Sequence, residues 1–324
     1  MGVKEEVLRT LRTSAEEYIS GQALADGLGV SRHAVWKAID GLRADGLRDR
    51  SAHEARLPAG GCGRRAERGW AWRRFLPQHA PFALEYHDII DSTNNRARQL
   101  AEDGSPAWTV VLANAQTAGR GRMGKSFYSP EASGIYMSMV MRPDCDVRDA
   151  NLLTIAAAAA VAESIELVCD VKVGIKWVND LFVEQRKVCG ILTEAAVGVE
   201  EQRLRYAVVG IGINVAPPAG GYPAEIADVA TSIYTQPPQT EIRNRLAAEV
   251  LRRFQPYAEA LPLKAYFSSY RERLFVIGRE VALVRGGARE MVQVLALNDD
   301  GSLHVRRADG STKDVASGEV SLRF

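Results

Sequence analysis

One glycine- and arginine-rich stretch, Gln116-Thr117-Ala118-Gly119-Arg120-Gly121-Arg122-Met123-Gly124-Lys125-Ser126, limits what this chain can fold into more than any other feature. Gly119 to Ser126 satisfy the phosphate-loop spacing, and Gly119, Gly121 and Gly124 satisfy the dinucleotide spacing. Both motifs need a strand before the loop and a helix behind it, because the helix N-terminus supplies the N–H groups that hold phosphate. Trp108 to Ala113 can form the strand. Behind the loop, however, Phe127 to Gly134 contain Pro130, Gly134 and two serines where the helix should start. Nor does an acidic residue follow at the end of a second strand. Ile135 to Met141 is itself the next strand, and Asp144 and Asp146 fall in a turn. A glycine loop without its helix has to be read with the rest of the chain.

The length of 324 residues, 46% hydrophobic and 25% charged, suits a soluble chain of two or three domains. No apolar run reaches membrane-spanning length, and Met1 to Leu11 carries Lys4, Glu5, Glu6 and Arg9, which is wrong for a signal peptide. A cytoplasmic location, away from membranes, is the expectation. Cys62, Cys145, Cys169 and Cys189 are far apart, with no His at ligand spacing, so neither a zinc site nor a disulfide framework is indicated. Cys189 has no sequence-adjacent His to activate it and reads as a packing residue.

The net charge of +1 hides an asymmetry: residues 1–80 hold 14 Lys+Arg against 10 Asp+Glu, and the remainder 27 against 30. The basic segment also has a helical pattern. Val7, Leu8 and Leu11 share a face; Ser20 can cap a helix from Gln22 to Gly27, and Ser31 a third from Arg32 to Ala44. Ala34, Val35, Ala38, Ile39 and Leu42 recur at helical spacing on its inner side. Gly27-Leu28-Gly29-Val30 is the short turn of a helix-turn-helix. Ser31, Arg32, His33, Trp36 and Lys37 are then the candidate DNA contacts; a solvated basic face of a small bundle is the plain alternative. Residues 48–74 are rich in Arg, Ala and Gly and show no period-2 alternation. They read as a divergent linker or a local shift of reading frame.

Downstream, Asp91-Ser92-Thr93-Asn94-Asn95, Lys176-Trp177-Val178-Asn179-Asp180, Arg186-Lys187-Val188-Cys189-Gly190-Ile191-Leu192 and Gly210-Ile211-Gly212-Ile213-Asn214-Val215 follow in order. With the glycine loop, they resemble biotin protein ligase over about residues 82–324. The first 50 residues resemble the winged helix-turn-helix of the bifunctional ligase/repressors. The resemblance implies an α+β chain: a helix-turn-helix at 1–50 and an aberrant wing or linker at 51–80. A class II synthetase-like mixed α/β catalytic domain follows at 81–273, and an SH3-like β-barrel at 274–324.

Joining a carboxylate to an α-phosphate calls for several cations on flexible backbone, and Arg120, Arg122 and Lys187 fit that need as the catalytic set. By resemblance, biotin is bound by Ser92, Thr93, Asn94, Gln116, Arg120, Gly121, Arg122, Lys187 and Gly190. ATP is bound by Arg120, Arg122, Phe127, Lys176, Asn179, Asp180 and Asn214. Phe127 stands where better-known members carry a Trp that stacks on adenine, and Val178 replaces the commoner Pro. Mg²⁺ with ATP is implied, with Asp180 its candidate ligand; the plain alternative is a turn residue.

Other features read as structural. Ala156 to Ala162, in a helix from Asp149 to Leu167, permits close packing on a sheet, and the aromatic segments near Phe254 and Tyr266 face a core. His87 and His304 have no partner evident in sequence. The segments Arg279 to Val284, Met291 to Leu297, Leu303 to Arg306 and Val315 to Leu322 alternate as strands of a small antiparallel barrel. The expected function is ATP-dependent biotinylation of biotin carboxyl carrier protein, with a DNA operator as second partner and a homodimer when ligand is bound. A repressor that senses biotinyl-adenylate with little ligase activity, and a lipoate or octanoate ligase of the same architecture, are the alternatives.

Overall fold

The computed structural model describes residues 27–31, 34, 35, 38 and 73–321, apart from 199–202, 239, 240, 286 and 287. The chain divides into two compact units, Met1–Arg64 and Arg65–Phe324.

In the first unit Gly27 and Leu28 are helical, and Gly29 turns the chain at φ 64°. The turn therefore starts later than Gly27, at the glycine that takes the left-handed conformation without a Cβ penalty. Ser31 caps the next helix as expected: its hydroxyl and its carbonyl accept from the Ala34 amide at 3.2 and 2.9 Å. Val35 and Ala38 are buried. The candidate DNA contacts Arg32, His33, Trp36 and Lys37 lie outside the described residues, as do Ile39, Leu42 and the atypical text from 48 to 72.

The second unit is built on a seven-stranded mixed sheet. Its strands are β1 (Ala83–Ile90), β2 (Thr109–Gln116), β3 (Gly134–Met141), β4 (Gly174–Lys176), β5 (Asp180–Val183), β6 (Arg186–Val197) and β7 (Leu204–Asn214). Their order is β1-β2-β3-β7-β6-β5-β4. Only β1 and β2 are parallel, joined by α1 (Thr93–Glu102) as the crossover. The helices α2 (Ala150–Cys169), α3 (Ile242–Glu259) and α4 (Phe267–Arg273) complete the domain.

Alternation along the strands assigns the two faces. Val110, Leu112, Met137, Met139, Val209 and Ile211 join α2 and α3 in the main core. On the opposite face Val111, Val140 and Val208 receive Ala97 and Ala101 of α1. Every residue from Ala156 to Ala162 is fully buried, and the small side chains let α2 lie close to α3 and β6. By length and composition α2 could cross a membrane, but 78% of its apolar window is buried within the protein.

The C-terminal strands are β8 (Glu280–Arg285), β9 (Ala288–Leu297), β10 (Leu303–Arg307), β11 (Thr312–Val315) and β12 (Glu319–Ser321). They form an SH3-like antiparallel sheet in the order β11-β10-β9-β8-β12. The single expected strand from Val315 to Leu322 is two, divided near Gly318, whose φ of 143° breaks the extended chain. Val281, Val292 and Leu303 belong to the same core as α2. Trp177 Nε1 donates to the Gly301 carbonyl at 2.9 Å, and Asn151 Nδ2 to that of Ala316 at 2.7 Å.

Candidate functional site

The face covered by α1 loses its bulk in one direction. Along β7 the inner positions run Val208, Gly210, Gly212, and along β3 they run Val140, Ser138, Tyr136. Beyond the N-terminus of α1 this leaves a cleft open to solvent. Its floor is Gly190, Leu192, Gly210 and Gly212; its walls are Ser92 to Asn94, Gln116, the glycine loop, Asn179 and Lys187.

The α1 end is fixed by a buried polar network. Ser92 caps α1, its hydroxyl facing the Asn95 amide. Gln116 Oε1 accepts from the Thr93 amide at 2.8 Å and from its hydroxyl at 3.1 Å, while Gln116 Nε2 donates to Ser129 Oγ at 2.8 Å. Ser138 Oγ lies 2.7 Å from Thr93 Oγ1 and 2.6 Å from Asn94 Oδ1. Asn94 Nδ2 donates to Glu194 at 2.9 Å. A Cβ at Gly210 would fall onto the Asn94 carboxamide, so that glycine makes room for Asn94.

The glycine loop is a short hairpin. The Gly121 amide donates to the Lys125 carbonyl at 2.7 Å and the Phe127 amide to that of Gly119 at 2.8 Å, with Arg120 bridged to Ser126. A 3₁₀ turn (Arg122–Gly124) tops it, and extended chain, not an α-helix, follows. The phosphate-loop and dinucleotide readings therefore lack their helix. Arg120 turns to Glu194 at 3.0 Å and to Asn95 Oδ1 at 3.0 Å. Arg122 donates to Asn179 Oδ1 at 3.0 Å and to the Gly318 carbonyl at 3.4 Å. The Phe127 ring rests where a Cβ on Gly212 would stand and in tight contact with the place of one on Gly190, edge-on to Tyr136 at 6.4 Å. Burial pushes the Tyr136 phenol up to about 12.

At the far end Lys187 Nζ donates to Asp180 Oδ1 at 2.6 Å, and Lys176 Nζ lies 3.4 Å from Asp180 Oδ2. Asn179 Nδ2 also donates to Asp180 Oδ1, at 3.0 Å. Three expected ligand residues are not brought to the cleft wall. Lys176 is taken up by Asp180, and its ammonium lies 5.4 Å from the Phe182 ring centre. Asn214 spends its amide on the Thr231 carbonyl at 3.1 Å, holding the segment beside Lys187. Asp180 is buried beneath the wall with both oxygens engaged by cations or amide. This donor set does not fit a protein-held Mg²⁺, which prefers free carboxylate and water oxygens. Among the described residues no three His, Cys, Asp or Glu cluster as metal ligands.

Cys189 is fully buried and its thiol is pushed up by that burial, as a packing residue requires. His87 and His304, without evident partners in sequence, meet Glu85 at 2.6 Å and Asp314 at 2.7 Å. The sequence reading missed Ser129, Ser138 and Glu194. The signal for two of them was slight: one serine in Gly134–Met141, and one carboxylate in β6.

Residues 86–214 match the Biotin/lipoate A/B protein ligase family, residues 4–50 an HTH domain, and residues 276–323 the Biotin protein ligase C terminal domain. The chain is 32% identical to the bifunctional ligase/repressor BirA of Bacillus subtilis, with 99% of this chain and 98% of that one covered. It is 28% identical to the BirA of Escherichia coli, over 95% and 94%. Among solved structures, the biotin protein ligase of Aquifex aeolicus in complex with biotin and ATP shares 28% identity at a TM-score of 0.60. That match covers 74% of this chain and 98% of the other.

Proposed function

Since the chain belongs to the biotin protein ligase family, with the bifunctional ligase/repressors as full-length relatives, we propose that the cleft joins biotin to AMP and delivers it to a protein lysine. A carboxylate oxygen of biotin attacks the α-phosphorus of ATP and pyrophosphate leaves. The amine of a lysine on the biotin carboxyl carrier protein of acetyl-CoA carboxylase then attacks the acyl carbon of the anhydride and AMP leaves. The acceptor brings the nucleophile, so the enzyme needs none of its own. The observation that carries this reading is the convergence of Arg120, Arg122 and Lys187 on one cleft that the neutral hydrogen-bonding groups of Ser92 to Asn94 and Gln116 also line.

The neutral groups, Ser92 to Asn94 with Gln116, suit the uncharged polar ring of biotin. The cationic groups suit its carboxylate and the phosphates. Lys187 lines the cleft with its ammonium on Asp180, and from there it would reach both charges. Phe127, with Gly190 and Gly212 bare beneath it, offers a ring face for adenine. Mg²⁺ would enter as part of the nucleotide substrate, where it would offset phosphate charge. Closing the hairpin over the anhydride would keep water away from it.

The test is ATP–pyrophosphate exchange with biotin, lipoate and octanoate in parallel, followed by transfer to a carrier domain. Biotin-dependent exchange and transfer are expected; no exchange with biotin would overturn the reading. Octanoyl transfer through a thiol is disfavoured, since Cys189 is buried and its thiolate suppressed. The helix-turn-helix supports operator binding in the cytoplasm, with dimer formation driven by the adenylate. A gel shift of promoter DNA that appears only with biotin and ATP would be the expected result, and absence of any shift would remove that role.

A further inference from the structure

Glu194 sets an anionic group beside a cleft proposed to take a carboxylate and phosphates, an arrangement that needs a reason. It lies on β6, two residues beyond Leu192 of the cleft floor and paired with Val208 of β7. Its carboxylate is three-quarters buried and takes Arg120 in a fork: Oε1 is 3.0 Å from one guanidinium nitrogen and Oε2 is 3.3 Å from the other. The same Oε2 accepts from Asn94 Nδ2 at 2.9 Å. Asn94 is buried and is further held by Ser138 on β3. Glu194 thus ties the glycine hairpin to the buried network at the start of α1.

We propose that Glu194 is a positioning residue that acts through Arg120, holding the loop guanidinium against the cleft wall so that it meets the ligand already oriented. A guanidinium has five N–H donors in a fixed plane. With Glu194 taking two and Asn95 another, the plane is set and other donors remain for the ligand. Without Glu194, Arg120 at the end of a glycine hairpin would have to be immobilised by each ligand in turn, which weakens binding. The carboxylate does not itself line the cleft, so it does not oppose the incoming anion at contact distance.

The inference rests on the proposed function, and a double-mutant cycle on biotin binding keeps the two separable. Binding to the full chain would be measured by calorimetry for the unsubstituted protein, Glu194→Gln, Arg120→Ala and the double variant, with thermal unfolding recorded for each. Gln keeps an acceptor for Asn94 and removes the charge that holds Arg120. If Glu194 acts through Arg120, Glu194→Gln weakens biotin binding about tenfold in the parent and less than twofold in the Arg120→Ala background. Glu194→Asp, which restores the charge on a shorter stem, should recover part of the loss. Equal effects in both backgrounds, or no effect in the parent, would overturn the positioning role while leaving the ligase reading intact. A parent protein that binds no biotin would overturn both.

Discussion

Gly210 and Gly212 are two positions apart on the same face of β7, neither in the left-handed region, yet alanine should act differently at each. Where a backbone can accept alanine, Gly→Ala stabilises by about 0.4–1 kcal/mol through the unfolded chain. At Gly210 the new methyl would land on Asn94 Oδ1, 2.8 Å from Cγ and 3.1 Å from Nδ2. Asn94 has nowhere to go: it is buried at the start of α1 and bonded to Glu194 and Ser138. Overpacking costs about 1–3 kcal/mol and a broken buried hydrogen bond about 1–3 kcal/mol. The net destabilisation of Gly210→Ala is then about 2–4 kcal/mol, a fall in Tm of roughly 5–12 °C for a unit of this size. At Gly212 the methyl meets the Phe127 ring at 2.5 and 2.6 Å, the outer end of a side chain carried on the hairpin. The ring can swing out, so Gly212→Ala should change stability by less than about 1 kcal/mol. It should instead raise the KM for ATP, because Phe127 loses its seat. Thermal unfolding with ATP–pyrophosphate exchange separates the two outcomes. A Gly210→Ala protein that melts at or above the parent would refute the argument that Asn94 is immovable.

Further outcomes follow from the same network. Ser138→Ala removes the hydroxyl between Thr93 and Asn94; a loss of about 1–2 kcal/mol and weaker biotin binding are expected, and unaltered calorimetric affinity would argue against its role. Asp180→Asn leaves two ammonium groups without the carboxylate between them and should cost about 3 kcal/mol in urea unfolding along with most exchange activity; full activity would show that Lys187 needs no counter-ion. On β1, the His87 hydrogen bond and then Arg96 hold the Glu85 carboxyl down to about 2 from 4.5. A depressed folded-state pKa contributes stability above the unfolded value and loses it as pH falls from about 4.5 towards 2. Glu85→Gln should flatten the stability profile in that window, and an unchanged slope in urea titrations at pH 5, 4 and 3 would count against the assignment.

Local chemistry was enough for the sequence to disfavour a phosphate-binding helix behind the glycine loop, because Pro130 and Gly134 interrupt the stretch that would have to form it. It also placed the Ser31 cap, the alanine-packed α2 and the alternating C-terminal strands, since caps and hydrophobic period depend on near neighbours. The ordered motifs brought out Arg120, Arg122, Lys187, Gln116 and Asn94, which line one cleft. What the sequence could not decide is which of those groups point into it. Lys176, Asp180 and Asn214 sit in the same motifs, but strand register turns them toward one another or toward Thr231 rather than the cleft. Glu194 and Ser138 belong to no motif and enter only because antiparallel pairing of β3, β7 and β6 sets them beside α1, at sequence separations of 100 and 44 residues from Asn94. The cleft itself is a tertiary fact. Valine gives way to glycine along one face of β7, and the space becomes a cleft only where α1 begins and the hairpin stands beside it.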